Sequence, residues 1–409
     1  MSIYPTISFD NTEYAFQYKT DKELKSANFL FSAMASPFLV KMGTTLVPWA
    51  IKAGVPVKGL IKKTIFKQFA GGETLEETSV LAKHLAKYHV GIILDYAVEG
   101  GDDSETEYDR AADQFIKVIH YAATQPNIPF MSVKVTGLSR ETLLEKLDEI
   151  MKNSQGSLIK RYENAITQLT EQEKQEWDRI KERLGKICKE AQEKNVGMMI
   201  DAEETWITDP VDALVTLMMD AYNKEKPVIF NTAQLYRHDR LQFVKDCHKA
   251  AVERGFIFGI KLVRGAYMEK ERNRAKEHNY ASPIQPDKTA TDTDYNEAVK
   301  FCIEHLDHIA VNVSTHNENS NMVAVHELEA NNIPFTHPHV SFSQLLGMSD
   351  NITFNLAHAG CNVSKYLPFG PVSEVIPYLM RRAQENTSVE GQTGREISLI
   401  KKEVKRRNL

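Results

Sequence analysis

The feature of this sequence that most limits its fold is a series of eight short apolar segments, each followed by an amphipathic helical pattern. The segments are Val90–Leu94, Phe130–Val133, Val196–Ile200, Pro227–Phe230, Phe256–Ile260, Ile309–Val313, Val340–Phe342 and Asn362–Val363. They are short and contain many β-branched residues, which favours buried strands over helix fragments. Strands that alternate with helices in this way are typical of a closed parallel (β/α)8 barrel, with a doubly wound open sheet as the alternative.

Two parts of the chain depart from this alternation. Residues 12–88 show apolar spacings of three and four and no alternating strand pattern. We therefore expect a helical amino-terminal region over residues 1–88 and a catalytic barrel over residues 89–409. The stretch between the second and third apolar segments is long and helical in pattern, which predicts a helical insertion at about 139–195. The expected fold is a distorted α/β TIM-type barrel with this insertion between strands 2 and 3.

Composition and motifs exclude several classes of protein. A net charge of -5 gives no basic surface for nucleic acid. The four cysteines have no CxxC spacing, which argues against a zinc site or a disulfide framework and suits a reducing compartment. His337 and His339 have no carboxylate or cysteine at ligand spacing, so we expect no metal. The sequence contains no GxGxxG, Walker A, HExxH or GxSxG motif, which disfavours a nicotinamide enzyme on a Rossmann fold.

Two amino-terminal stretches have compositions that raise the question of contact with a membrane. Residues 27–51 are apolar, but Lys41 and interruptions by proline and glycine argue against a spanning helix. Residues 51–69 carry five lysines and no acid between apolar residues, a pattern of helices that lie on an anionic membrane surface. The alternative is a helix that packs on the domain with its lysines in water. Because no signal or transit peptide is recognised, we expect a cytoplasmic protein that docks peripherally on the inner face of the membrane.

Polar side chains stand at nearly every predicted strand end, where functional residues of such barrels are found. They are Asp95, Glu99, Lys134, Asp201, Asn231, Gln234, Lys261, Arg264, Thr315, His316, Asn317, Gln344 and Tyr366. Any one of them could simply solvate the rim of the barrel. A nearly complete ring is what a pocket for a large polar cofactor requires.

The last predicted helix carries four functional side chains at i, i+3, i+4 and i+7, namely Tyr378, Arg381, Arg382 and Glu385. This spacing puts them on one helical face. Two adjacent guanidiniums can bind an anionic ligand bidentately, and Glu385 can hold an arginine in place. The alternative is an exposed ion-paired stripe.

A second dense motif is Ile260–Tyr267, with the sequence IKLVRGAY. It predicts a strand that ends in two cations and in a glycine where another group approaches the backbone closely. Such cations could stabilise the negative charge of a reduced cofactor ring, or they could simply be solvated.

At these motifs the chain resembles proline dehydrogenase, a family of flavoenzymes. The resemblance is carried by KLVRGAY at Lys261–Tyr267, DAEE at Asp201–Glu204, THN at Thr315–Asn317, QLLG at Gln344–Gly347 and YLMRRAQEN at Tyr378–Asn386. It runs from about residue 90 to about residue 388. It implies a distorted barrel with non-covalent FAD that oxidises L-proline to Δ1-pyrroline-5-carboxylate, the first step of proline catabolism to glutamate. It also implies a quinone as electron acceptor, and it suits a membrane contact and a pyrroline-5-carboxylate dehydrogenase as partner.

The resemblance also implies a role for each matching residue. The substrate carboxylate would be bound by Lys134, Arg381 and Arg382. The substrate ring would be enclosed by Tyr267, Tyr366 and Tyr378. Glu385 would orient Arg382, and Glu99 would pair with Arg381 as a gate. The positions that match flavin contacts are Asp201, Asn231, Lys261, Val263, Arg264, Gly265, Ala266, Lys288, Thr315, His316, Asn317, Gln344 and Leu346.

Four positions, Asn231, Lys261, Arg264 and Met268, differ from bacterial bifunctional members and match the form of eukaryotic members. The chain ends soon after the last motif helix, so we expect a monofunctional enzyme. Hydroxyproline oxidation is the nearest alternative, and the bulk of Tyr366 disfavours it. A folate-reducing flavin barrel is a second alternative, which would need a nicotinamide donor. A third is a non-catalytic module that binds an anion or a partner.

Overall fold

The computed structural model describes residues 5–36, 38, 40–42, 46, 58–96, 103–388 and 392–409. In this part of the chain, eight strands form a closed barrel in the order of the sequence. The strands are β1 (Val90–Tyr96), β2 (Phe130–Val133), β3 (Gly197–Ile200), β4 (Ile229–Gln234), β5 (Phe258–Val263), β6 (Ile309–Ser314), β7 (Val340–Leu345) and β8 (Val363–Phe369). The closed barrel confirms the predicted fold class and excludes the open sheet.

Helices follow the strands and also precede β1. They are α1 (Thr12–Phe16), α2 (Asp21–Met34), α3 (Lys58–Ile61), α4 (Lys67–Phe69), α5 (Leu75–Ala86), α6 (Glu105–Ala123), α7 (Glu141–Lys152), α8 (Leu158–Thr167), α9 (Glu171–Lys194), α10 (Thr208–Tyr222), α11 (Arg240–Arg254), α12 (Met268–Glu277), α13 (Lys288–Glu304), α14 (Glu318–Ala330), α15 (Asp350–His358), α16 (Val372–Ser388) and α17 (Gln392–Arg406). A π-helical turn at Lys62–Phe66 joins α3 to α4.

Helices α7, α8 and α9 form the predicted insertion between β2 and β3. Thr170 and Glu173 form a reciprocal capping box that starts α9, and Asn195 in the left-handed conformation ends it. Trp177 of α9 is fully buried and donates from Nε1 to the Tyr162 hydroxyl of α8 at 2.7 Å. The insertion is therefore an ordered part of the packing around the strands.

The chain divides into two compact units, one of residues 1–97 with 343–409 and one of residues 98–342. The division at residue 88 stays a prediction. In the first unit, the amino-terminal helices share an apolar core with α16 and α17. Phe16, Phe31, Phe69, Val375 and Leu399 are among its fully or nearly fully buried side chains. Burial of such side chains is the main favourable contribution to folding.

The structure bears on the two interpretations of the lysine-rich segment. Ile61, Phe66 and Phe69 are 7%, 3% and 0% exposed because they pack into the core of the first unit. Lys62 pairs with Glu73 on the outside. These three apolar side chains therefore pack on the protein, as the packed-helix alternative expects. Residues 51–57 lie outside the described part of the chain. None of the helices described is long and apolar enough to span a membrane.

Candidate active site

The strand ends of the second unit carry an ion pair between two predicted site residues. Lys261 of β5 binds the carboxylate of Asp201, which directly follows β3. Their side chains are only 7% and 14% exposed, so both charges are largely removed from water. Such a pair offsets the cost of desolvation and holds the ammonium group in a fixed direction.

The two faces of β4 have different roles. Asn231 donates from Nδ2 to Asp212 of α10 at 2.8 Å, and Asp212 in turn binds Arg240 of α11 at 2.6 Å. Asn231 therefore faces the helices, and its side-chain carbonyl accepts from the Thr232 N–H at 2.8 Å. A direct contact of Asn231 with a flavin stays a prediction, although its amide is already engaged within the protein.

Gln234 lies on the opposite face of β4 because side chains alternate along a strand. Thr232, which shares that face, is in register with Lys261 of β5. Gln234 is 3% exposed, and its Oε1 has no hydrogen-bond partner among the residues that the structure describes. A buried carbonyl of this kind is costly unless a ligand or water donates to it. The sequence analysis had already placed Gln234 at a predicted strand end, among the polar residues expected to line the pocket.

The segment after β5 offers exposed backbone. Gly265 has φ +132°, a conformation that other residues rarely adopt, and a Cβ there would lie 2.4 Å from the ring of Tyr236. Gly265 and Ala266 are exposed, and Val263 and Tyr267 are partly exposed. The glycine therefore brings the backbone close to the Tyr236 ring and leaves this stretch open to a ligand.

Arg264 points into a polar network instead. It donates to Asp292 of α13 at 2.8 Å, to the Thr315 hydroxyl at 2.5 Å and to the Ser320 hydroxyl at 2.8 Å. Lys288 binds the second oxygen of Asp292. Burial opposes the charge of Asp292, but hydrogen bonds from Lys288 and Arg264 outweigh it and lower its pKa.

The same network shapes the turn after β6. The Thr315 hydroxyl accepts from the Asn317 N–H at 3.1 Å, and Asn317 accepts from the Ser320 N–H at 3.0 Å as the N-cap of α14. His316 between them is partly exposed. The structure therefore brings together four predicted cofactor residues, Arg264, Lys288, Thr315 and Asn317, around the start of α14. A helix N-terminus of this kind favours an anionic group.

Glu203 is a titratable residue that the sequence did not single out. Thr136 donates to both of its carboxylate oxygens at 2.9 Å. Burial raises its pKa to about 7, against the opposing effect of the nearby Lys134 charge. Glu203 can therefore change its protonation state near neutral pH, beside the lysine that was predicted to bind substrate.

In the first unit, β8 and the end of β7 fix a second group of predicted residues. Gln344 accepts from the Thr353 hydroxyl at 2.7 Å, which sets the orientation of its amide. The Leu346 N–H donates to the Tyr366 carbonyl at 2.9 Å. Tyr366 is partly exposed, whereas Gln344 and Leu346 are buried. The next residue, Gly347, has φ +77°, and a Cβ there would lie 2.2 Å from the carbonyl oxygen of Gln68.

Helix α16 of the first unit carries the paired arginines. The Arg382 guanidinium lies 5.2 Å from the centre of the Tyr378 ring, within range of a cation–π interaction. Both residues are 8% exposed, and Arg381 is partly exposed. Glu385 lies in the same helix, but its side chain is outside the described part of the structure, as is all of Glu99. Their roles stay predictions.

Comparisons with known proteins agree on one family. The sequence profile described as proline dehydrogenase matches residues 80–395. The chain is 34% identical over 379 residues to proline dehydrogenase 1, mitochondrial, of Dictyostelium discoideum, covering 86% of this chain and 66% of that protein. It is 32% identical over 425 residues to the hydroxyproline dehydrogenase of Xenopus laevis, covering 96% and 88%. The chain thus spans just under two thirds of the length of the Dictyostelium relative.

Solved structures agree on the fold. The structure of proline utilization A (PutA) from Bdellovibrio bacteriovorus, inactivated by N-propargylglycine, is similar with a TM-score of 0.70 and 21% identity. The match covers 93% of this chain and 38% of that one.

Proposed function

This chain belongs to the proline dehydrogenase family of oxidoreductases, and from this we propose that it oxidises L-proline to Δ1-pyrroline-5-carboxylate with FAD as cofactor. The proposal makes the reaction the first step of proline catabolism to glutamate. The observation that carries it is the arrangement of α16, where a buried Arg382 stacks on Tyr378 beside Arg381. Two guanidiniums at this position suit a small carboxylate ligand.

The proposed substrate site uses charge to select and orient proline. Arg381, Arg382 and Lys134 would bind the carboxylate, with Glu385 orienting Arg382 and Glu99 acting as the gate. Tyr267, Tyr366 and Tyr378 would enclose the apolar ring and exclude water. Such positioning can remove several kcal/mol from a reaction barrier, on the order of 7–11 kcal/mol in the best cases.

The residues at the strand ends of the second unit fit a flavin. The buried Gln234 Oε1 can accept from a ring N–H, and the backbone at Gly265 and Ala266 is open to a large ligand. Lys261, held by Asp201, supplies a positive charge that favours an anionic reduced ring. We therefore add Gln234 to the proposed cofactor residues. When bound, FAD would accept the two electrons removed from the substrate.

The substrate amine must be neutral for its oxidation, so a proton must leave it. Glu203 is suited to accept this proton because burial raises its pKa to about 7. Lys134 lies close enough to oppose that shift, which links the proposed acceptor to the proposed carboxylate site. A pH profile of kcat/KM compares Glu203→Gln with the wild-type protein. If the rise of kcat/KM near pH 7 is lost in Glu203→Gln, the result supports this role. An unchanged profile rejects it.

Hydroxyproline is the second candidate substrate because the Xenopus hydroxyproline dehydrogenase is similar over nearly the whole chain. Tyr366 favours proline, since a smaller residue at this position would leave room for a 4-hydroxyl group. We expect the wild-type protein to prefer L-proline in kcat/KM and Tyr366→Ser to shift the ratio towards hydroxyproline. A wild-type preference for hydroxyproline would reverse the assignment.

The electrons would pass on to a quinone, and the protein would act in the cytoplasm with a peripheral contact to the inner face of the membrane. Phe29, Phe38 and Leu46 are 75%, 73% and 51% exposed, which gives the amino-terminal region apolar side chains for such a contact. A pyrroline-5-carboxylate dehydrogenase would consume the product. Sedimentation with anionic vesicles, compared with a Phe29→Ser and Phe38→Ser variant, tests the membrane contact, which is rejected if both proteins sediment equally.

The function is tested by the absorption spectrum of the purified protein under anaerobic conditions. We expect a bound flavin whose blue band bleaches on addition of L-proline. A colourless protein that takes up no FAD would favour a non-catalytic module. A flavin that is reduced by NADH and not by proline would favour the folate-reducing alternative.

A further inference from the structure

The carboxylate of Glu271 is completely buried in the second unit. Glu271 lies in the first turn of α12 and is 0% exposed. Its two oxygens accept from the Thr205 N–H at 2.8 Å and from the Thr205 hydroxyl at 2.6 Å. A buried carboxylate is costly unless it is hydrogen-bonded, so this double contact accounts for its position.

Glu271 joins two segments that carry predicted site residues. The Glu271 N–H donates to the Tyr267 carbonyl at 2.9 Å, so Tyr267 lies one helical turn before Glu271. Thr205 follows Asp201 in the segment after β3. The strand ends themselves are joined by the ion pair of Asp201 with Lys261. The segments after β3 and β5 are therefore connected at the strand ends and again at Glu271.

Charged side chains cover this contact from outside. The Arg274 guanidinium lies 4.3 Å from the centre of the Trp206 ring, and the Lys270 ammonium lies 5.3 Å from it. Lys270 also pairs with Glu204. Each exposed interaction contributes little by itself. Together they keep the indole over the start of α12 and help to exclude water from the hydrogen bonds of Glu271.

We propose that Glu271 is a positioning residue, which holds the start of α12 on the segment after β3 and thereby sets the position of the Tyr267 ring for substrate. This inference rests on the proposed function, in which Tyr267 encloses the proline ring. Glu271 itself touches neither substrate nor cofactor. It acts through the backbone turn that links it to Tyr267.

The test compares Glu271→Ala with Glu403→Ala. Glu403 is a matched control because it is also a completely buried acid, 0% exposed, and it accepts from Arg406 at 2.8 Å and from Arg407 at 2.7 Å at the end of the chain, remote in sequence from both segments. We expect Glu271→Ala to raise KM for L-proline about tenfold or more, because a small displacement of a positioned group has a large effect on rate. We expect Glu403→Ala to lower the melting temperature without changing KM.

Two further variants keep the test decisive if Glu271→Ala does not fold. Thr205→Val removes the hydroxyl donor at similar volume, and we expect it to raise KM in the same direction. Thr205→Ser keeps the donor and should stay close to wild type. Equal KM values for Thr205→Val and wild type would overturn the proposal.

A double-mutant cycle tests the route through Tyr267. If Glu271 acts through this ring, Glu271→Ala should change KM much less in a Tyr267→Leu background than in the wild type. Additive effects would overturn the proposal.

Hydrogen–deuterium exchange of the flavin-free protein gives a readout that needs no activity. We expect Glu271→Ala to speed exchange at residues 203–206 and 267–277, and Glu403→Ala to leave both segments unchanged. Unchanged exchange in Glu271→Ala would contradict the proposed contact. If wild-type protein failed to oxidise proline, the proposed function would fall while this exchange result would still decide the contact.

Discussion

The Arg382 guanidinium lies 5.2 Å from the centre of the Tyr378 ring, and both residues are 8% exposed. They are four positions apart in α16, so the helix itself sets their spacing. A desolvated guanidinium over an aromatic face is restricted in its motion, which would favour binding of the proposed substrate carboxylate in one orientation.

The ring rather than the hydroxyl of Tyr378 should matter for this orientation. We expect Tyr378→Phe to keep KM for L-proline within about threefold of wild type, because the cation–π contact is worth about 0.5–2 kcal/mol and remains. Tyr378→Leu should raise KM about tenfold. Steady-state kinetics of both variants check this prediction, and equal KM values would contradict it.

Lys365 and Asp350 form a buried ion pair at 2.9 Å, with side chains 1% and 3% exposed. Tyr18 also donates to Asp350 at 2.7 Å. Lys365→Met should leave the buried carboxylate with only the Lys19 ammonium, 3.8 Å away, as a counter-charge, and lower the free energy of unfolding by about 3–5 kcal/mol. Adding Asp350→Asn should restore part of the loss. Urea unfolding of the single and double variants measures both effects, and a single variant as stable as wild type would refute the argument.

Glu396 should make stability depend on pH. Burial, with the charge of Asp350, raises its pKa to about 7 from an ordinary 4.5. The folded state therefore holds the proton more tightly than the unfolded state. This contribution to stability is complete below about pH 4.5 and is lost as pH rises through about 7.

Glu396→Gln removes this titration and keeps an acceptor for the Ser349 N–H. We expect the variant to gain stability relative to wild type between pH 5 and pH 8, by up to about 3 kcal/mol. Unfolding curves of the two proteins at pH 5 and at pH 8 give the difference in their free energies of unfolding. A difference that does not change with pH would contradict the expected titration.

Gly265 should tolerate no side chain. A Cβ would lie 2.4 Å from the Tyr236 ring, and φ is +132°. We expect Gly265→Ala to lower stability by about 1–3 kcal/mol and to reduce the flavin bound after purification. Gly185→Ala in α9 is the control because a Cβ there has open space, and it should be neutral or slightly stabilising. Thermal unfolding measures the change in stability, and the ratio of flavin to protein absorbance measures the bound flavin. Equal flavin content in Gly265→Ala and wild type would count against this part of the proposed site.

Much of the fold could be predicted because each strand contains a short apolar core. Strand ends were less accurate. The predicted apolar segment Phe256–Ile260 stops at Lys261 and begins two residues before β5, whereas the IKLVRGAY motif predicted a strand that continues to its cations, and β5 indeed extends to Val263. β8 likewise continues through Lys365 and Tyr366 to Phe369. Polar residues can lie within these strands because other side chains neutralise them, as Asp201 does for Lys261 and Asp350 for Lys365.

The partners of buried charges could not be predicted from the sequence. Glu271 and Thr205 are 66 positions apart, and Tyr18 and Asp350 are 332 apart, so only the folded chain brings them together. Local patterns left two interpretations open for the lysine-rich segment, because an amphipathic helix on a protein core and one on a membrane have the same periodicity. The arginine pair was predictable because its spacing lies within one helix.

The role of the paired guanidiniums is tested most directly by comparing L-proline with L-prolinamide, which has the same ring but no carboxylate. We expect wild-type protein to favour L-proline in kcat/KM by on the order of a hundredfold, since charged hydrogen bonds contribute about 1.5–3 kcal/mol each. In a folded, flavin-bound Arg381→Met and Arg382→Met double variant, the two compounds should become nearly equivalent. A double variant that kept the full wild-type preference would show that these arginines do not recognise the carboxylate.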